Sequence, residues 1–322
     1  MNFNALLESF LQSRILRPKS ANNYRAVCRH FIAFLTMDSS IEEITRDHLV
    51  QYREYVLGRA SPTTFNNYRR HLTALFSYAV EIGELNDNPW RRVRGAPTLQ
   101  AKPRTVNADD LLHGLDVFQN RVLNNWGEAG KKWADFWTTL VRTLYFTGMR
   151  RRQIVELQWS DINFDLNVIT LRAESSKTRK EWIIPLPHQL LNDMLMLQQI
   201  VATEHGELPD GSAKVFDPQH FVPRTGIKME HPLTVDRLSS FFGKLSKDAG
   251  VRLSSHRIRH TVATTLVNKG GNLKAAQTIL GHSDVRTTLG YVHPNMDDLR
   301  TASGCLQLLP KPSKKPDDTP LN

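Results

Sequence analysis

The feature that most limits how this chain can fold is a break near residue 90. Up to Asn88-Pro89-Trp90 apolar residues recur at helical spacing between short turns; from Arg91 to Arg104 the chain is basic, carries Pro97 and Pro103, and shows no sustained apolar period. A stretch that can bury no continuous stripe acts as a connector rather than as core. At 322 residues the chain is long enough for two domains, each with its own core. The expected division is a helical domain over 1–95, a linker over 96–106, a second domain over 107–302 and a tail over 303–322, the tail being polar and Lys/Pro-rich enough to predict disorder.

In the first block, Leu6, Leu7, Phe10 and Leu11 make one stripe, which Pro18 is expected to stop. Ser20 is then expected to cap a helix carrying Tyr24, Cys28, Phe31, Ile32 and Leu35. A third helix is predicted from Thr45 to Leu57. A fourth follows Ser61-Pro62 and aligns Phe65, Tyr68, Leu72, Leu75, Phe76 and Ala79. The polar faces left over hold Asn22, Asn23, Arg25 and Arg29 on one helix and Asn66, Asn67, Arg69 and Arg70 on another. Such side chains suit a major groove and its phosphates, or simply a solvated surface. Arg91, Arg92, Arg94 and Arg104 in the basic stretch could likewise follow a phosphate backbone or solubilise a tether.

The second block mixes helices with strands. Asn107-Ala108-Asp109-Asp110 opens a helix with an acidic first turn, and a helix through Phe136, Leu140, Val141 and Leu144 leads to Gly148 and Arg150. Asn167–Arg172 and Glu181–Pro185 read as two strands joined by a polar turn that holds Lys177. Further helices are expected over 189–203 and 233–247, and one opens at Ser254 or Ser255 and ends at Gly270-Gly271. The fold class is therefore mainly α with a small antiparallel β-sheet in the second domain (α+β).

Composition points to the partner. Lys plus Arg exceed Asp plus Glu by 42 to 32, giving a formal charge of +10 and a pI near 9.7, which favours a polyanion such as nucleic acid. A ribosomal or membrane-surface protein would share that balance. Only Cys28 and Cys305 are present, so no disulfide framework is expected and a cytoplasmic location is. No apolar run approaches a membrane span, and the N-terminus lacks a signal-peptide layout. No cofactor is expected. There is no Gly-rich Lys-Ser/Thr loop, and although His256 and His260 lie one helical turn apart, His256 is followed by Arg257 where a zinc protease needs a glutamate, and the neighbouring arginines would repel a cation.

The chemistry concentrates near the C-terminus in Ser255-His256-Arg257-Ile258-Arg259-His260, Leu280-Gly281-His282-Ser283 and Tyr291, with Thr147-Gly148-Met149-Arg150 and Lys177 upstream. A phosphodiester gains charge on its non-bridging oxygens under attack, so a metal-free site needs fixed cationic donors there. A tyrosine hydroxyl can store a broken strand as a covalent ester. His256 and Arg259, three apart, share a helix face, while Ile258, Val262 and Leu266 form the apolar stripe expected to anchor that helix to the core.

The order Arg150, Lys177, His256-x-x-Arg259, His282, Tyr291 resembles the six-residue active site of the tyrosine recombinases, the phage integrase family, over about residues 20 to 300. The resemblance implies an N-terminal SAM-like helical core-binding domain and an integrase-type catalytic domain that clamp duplex DNA. It implies site-specific recombination through a 3′-phosphotyrosine and a Holliday junction, for integration, excision or resolution of a mobile element. By the same resemblance Arg150 and Arg259 hold the scissile phosphate, His256 assists proton removal from Tyr291, His282 donates to a non-bridging oxygen and Lys177 protonates the leaving 5′ oxygen. Inverted-repeat sites, a tetramer on synapsed DNA and no separate arm-binding domain are expected with it. The chain departs from the family at Gln153, where an acidic residue is usual; glutamine accepts a hydrogen bond without offsetting charge. Two other readings stay open, a type IB topoisomerase-like relaxing enzyme and a non-catalytic DNA-binding regulator.

Overall fold

The computed structural model describes residues 1–35, 40–99, 104–174, 180–223, 232–269 and 272–292. The chain divides into two compact units, Met1–Ala101 and Lys102–Asn322.

Among its described residues the first unit has four α-helices, α1 (Phe3–Ser13), α2 (Pro18–Leu35), α3 (Arg46–Leu57) and α4 (Pro62–Glu81), with short 3-10 turns at Ile41–Glu43 and Pro89–Arg92. Each start has a local chemical cause. Asn2 accepts the Ala5 N–H, Thr45 and His48 form a reciprocal capping box, and Ser61 accepts the Thr64 N–H ahead of Pro62. Pro18 does not stop α1, which ends at Ser13 where Arg14 turns extended; it opens α2, where a missing N–H costs nothing, so Ser20 lies inside the first turn and is no cap. Phe3, Leu6, Phe31, Leu49, Tyr52, Phe65, Leu72 and Phe76 pack into one core. Trp90 is fully buried in it and Val93 is 1% exposed. The beginning of the basic stretch thus belongs to this unit, because a tryptophan and a valine at this spacing have more to gain from burial than from water.

The second unit begins with α5 (Ala108–Trp126), capped by Asn107, and α6 (Lys131–Thr147). Val106 is already buried there, and its backbone N–H and C=O both bond Thr261 Oγ1. After α7 (Arg151–Glu156) come three antiparallel strands in the order β1 (Ile162–Asn163), β2 (Val168–Leu171), β3 (Trp182–Pro185). Ile169 pairs with Ile162 on one side and Ile184 on the other, and Ile169, Leu171 and Ile184 point inward. The chain continues through α8 (His188–His205), α9 (Val235–Asp248), α10 (Ser255–Lys269), α11 (Leu273–Leu280) and α12 (Val285–Leu289). Helix α6 is the central beam: it packs on α5, α8 and α10, and Trp137 stacks on Phe241 of α9 with ring centroids 3.9 Å apart. Among the described residues, no helix is long and apolar enough to cross a membrane.

Candidate active site

Helix α6 delivers the first arginine. Its apolar stripe buries Phe136, Leu140 and Leu144, so its end is fixed in the core. Gly148 then turns left-handed at φ +62°, and a Cβ on it would stand 3.1 Å from both Val262 and Leu280. Glycine is required twice over here, by the backbone angle and by the close approach of α10 and α11. Two residues on, Arg150 is the cap residue of α7. Gln153, 1% exposed, accepts the Arg150 backbone N–H at 2.8 Å through Oε1. Arg150 Nη2 donates to the Gly281 carbonyl at 3.2 Å, while Nη1 is buried and finds no partner among the described residues.

Helix α10 delivers the second. Ser254 accepts the Arg257 N–H at its start, and Ile258, Val262 and Ala263 anchor its inner face. Arg259, 7% exposed, donates through Nη1 to the Gly148 carbonyl and through Nη2 to the Leu280 carbonyl at 2.6 Å and to His282 Nε2 at 3.2 Å. The two carbonyls lie at the C-terminal ends of α6 and α11, where backbone oxygens lack helical partners and carry partial negative charge. One buried cation therefore ties two helix ends and an imidazole together. Burial, and then the neighbouring Arg150, push its guanidinium down to about 9, still leaving it charged at neutral pH.

Helix α11 ends at Gly281, which is left-handed at φ +58°. A Cβ there would lie 2.2 Å from Trp182, whose indole Nε1 donates to the Ile279 carbonyl at 3.3 Å. His282 follows. Arginine has only hydrogens to give, so His282 Nε2 is an acceptor and the proton sits on Nδ1, which donates to Thr288 Oγ1 at 2.9 Å. Burial, then Arg259 and Arg150, push this imidazole down to about 4. Thr288 is fully buried in α12, and that short helix sets Tyr291 three residues later.

Tyr291 is 8% exposed. Its ring lies nearly parallel to His282 with centroids 6.2 Å apart, and it also meets His260 at 5.4 Å. Burial raises its phenol pKa, and Arg259 and Arg150 pull it back. His256 stands at the start of α10, exposed in part, its ring edge-on to His260 at 4.3 Å; the desolvation of that ring, then Arg259 and Arg151, disfavour its protonation. The structure thus gathers Arg150, His256, Arg259, His282 and Tyr291 from four separate segments. Lys177 lies outside the described residues. Among the described residues, the electrostatic partners of these five groups are arginines and the tyrosine, with no carboxylate among them. A site of this kind can hold a tetrahedral anion beside a sheltered hydroxyl.

The basic helix faces of the first unit divide. Asn22, Asn23, Arg29, Asn67, Arg70, Arg91, Arg92 and Arg94 are exposed, as is Arg104 in the second unit. Arg25 pairs with Glu8 at 3.3 Å and Arg92 with Asp87 at 3.1 Å, exposed pairs that exchange cheaply for other partners. Asn66 bonds both the N–H and the C=O of Ala96, and Arg69 Nε donates to the Val93 carbonyl at 2.6 Å. These two side chains hold the end of the unit's own chain. Sequence reasoning missed five members of the site: the Gly148, Leu280 and Gly281 carbonyls, Thr288 and His260. Only His260 carried a signal, by following Arg259 directly.

The pattern of the phage integrase family matches residues 129–298, and that of the phage integrase SAM-like domain matches residues 2–95. A Pseudomonas syringae protein bearing a tyrosine recombinase XerC name is 27% identical over 93% of this chain, which spans 63% of that relative's length. A tyrosine recombinase of Thermosipho africanus is 27% identical over 86% of this chain and 90% of its own. Among solved structures, the Tn1549 transposon integrase in complex with transposon right-end DNA superposes with a TM-score of 0.69 at 20% identity, covering 95% of this chain and 99% of that one. A lambda integrase dimer bound to a core site gives 0.69 at 18%, over 97% of this chain and all of that one. Likeness at this identity establishes the shared fold.

Proposed function

The chain belongs to the phage integrase family, and from that premise we propose that it is a site-specific DNA recombinase acting through a 3′-phosphotyrosine. The Tyr291 oxygen attacks the scissile phosphorus, the bond to the 5′ oxygen breaks, and a proton must reach that oxygen as it leaves. The 5′ hydroxyl of a second strand then displaces Tyr291, so bond energy is conserved without a nucleotide cofactor. Two such exchanges pass through a Holliday junction.

The observation that carries this reading is the convergence of Arg150, Arg259 and His282 on the buried ring of Tyr291. Arg150 Nη1, buried and without a partner among the described residues, supplies a donor for a phosphate oxygen. Arg259 anchors the pocket and adds the second charge. His282 donates to a non-bridging oxygen in its other tautomer, with the proton on Nε2 and Nδ1 accepting from Thr288 Oγ1, once a phosphate takes over the guanidinium hydrogen that Nε2 now accepts. His256 assists removal of the tyrosine proton, and Lys177 is the general acid. Exposed Asn22, Asn23, Arg29, Asn67 and Arg70 contact the duplex in this reading, residues 96–106 tether the two units, and the substrate is a pair of inverted repeats on which protomers assemble to a tetramer when two sites synapse.

The test is a nicked suicide substrate resolved on a denaturing gel. Covalent protein–DNA complex is expected from the wild type and none from Tyr291→Phe, with half-site binding retained by both. A Lys177→Ala protein should be slow on normal DNA and recover on a substrate whose 5′ bridging oxygen is sulfur, since a thiolate leaves unprotonated. Equal impairment on both substrates would remove Lys177 from the acid role.

A further inference from the structure

His260 has no part in the six-residue set, yet it is the imidazole that touches Tyr291 from the α10 side. It lies one turn after His256, so the two rings share a helix face and meet edge-on at 4.3 Å, and the same His260 ring then meets Tyr291 at 5.4 Å and an angle of 44°. His282 lies nearly parallel to the same phenol at 6.2 Å, so two imidazoles wall it. His260 Nδ1 is shut off from solvent and has no hydrogen-bond partner among the described residues. An unpaired buried nitrogen is a standing cost, and no hydrogen bond from that nitrogen holds the ring or the phenol in place. The ring cannot easily escape that position, because α10 is pinned on both sides: Thr261 bonds Val106, and Arg259 holds the ends of α6 and α11.

We propose that His260 is a positioning residue for the nucleophile: its ring forms one of the two walls that hold Tyr291 in its own active site and links the ring of His256 to it. The proposal rests on Tyr291 being the nucleophile. The wall matters because the phenol follows a five-residue helix and attack on phosphorus depends steeply on geometry.

Single-turnover cleavage of a suicide substrate, measured beside half-site affinity, separates positioning from folding. His260→Ala should slow covalent complex formation by about 10- to 100-fold while half-site affinity changes by less than about twofold, because no phosphate donor has been removed. His260→Phe keeps the ring and discards the unpaired nitrogen. It should restore cleavage to within about threefold of wild type and unfold at no lower temperature. Wild-type cleavage by His260→Ala would overturn the proposal, as would a parallel loss of affinity and rate. A His260→Phe protein that folds but cleaves as slowly as His260→Ala would also overturn it, since the nitrogen would then be what matters. Covalent complex from Tyr291→Phe would instead refute the reading of Tyr291 and leave the wall without a purpose.

Discussion

Arg259 Nη2 stands 3.2 Å from His282 Nε2, so two groups suited to an anion bind each other while each also holds backbone or hydroxyl partners. The same guanidinium closes the ends of α6 and α11. Lysine keeps the charge but offers a point donor in place of a planar fork, and cannot reach Gly148, Leu280 and His282 together. Arg259→Lys is therefore expected to destabilise the protein by about 2 kcal/mol or more and to lower covalent complex formation by about 100-fold. Calorimetry and the suicide-substrate assay check the two halves separately; an unchanged melting temperature would show that the helix-end contacts are dispensable.

Gly281 should tolerate nothing larger. Alanine there combines a left-handed backbone with a Cβ 2.2 Å from the Trp182 ring. Gly250 has a similar angle, φ +66°, and open space around it. Gly250→Ala should cost about 1 kcal/mol from the backbone alone, and Gly281→Ala at least about twice that from strain and overpacking. Denaturant unfolding of both variants gives the comparison, and equal losses would mean that Trp182 moves aside freely.

Gln153 caps α7 by accepting the Arg150 N–H. Gln153→Ala should cost about 1 kcal/mol for the cap and more for the void. Gln153→Glu keeps the acceptor and adds a charge that offsets Arg150, one of the two cations lowering the Tyr291 pKa. The expected result is a stable enzyme whose cleavage rate reaches its plateau at higher pH than wild type. A pH profile that does not move would show that residue 153 acts through the backbone alone.

Acid should loosen the site before it unfolds the rest of the unit. His282 is lowered from its ordinary 6.5 to about 4, so between those values the unfolded chain binds a proton that the folded protein resists. Its neutral form therefore contributes stability that is complete above about pH 6.5 and lost as pH falls through about 4. The melting temperature of wild type should decline across that window. His282→Asn should decline less steeply, and parallel curves would assign the acid sensitivity to other groups.

Much of this was readable from the chain. Helices begin at Thr45, Ser61 and Asn107 as expected, each of which proves to be the cap, because the signal for a helix start acts within three residues. Pro18 was misread as a stop, since proline suits the first turn of a helix as well as the gap before one. Strand β1, two residues long, is too short to show a period. Asn66 and Arg69 looked like groove-facing residues because a polar face is the same in sequence whether it meets water, phosphate or the unit's own backbone. Arg150, His256, Arg259, His282 and Tyr291 were recognisable as a set. What Arg259 binds was not, because its carbonyl partners belong to residues with no chemical signature, brought near by the packing of α6, α10 and α11.

The seating of Trp182 against Gly281 couples two positions in their histories as well as in space. A larger residue at 281 can be accepted only by a chain that has already given up the indole at 182, and giving it up first leaves a hollow under the turn that carries His282. Neither change is neutral alone, so in any set of descendants the two positions should switch as a pair or not at all.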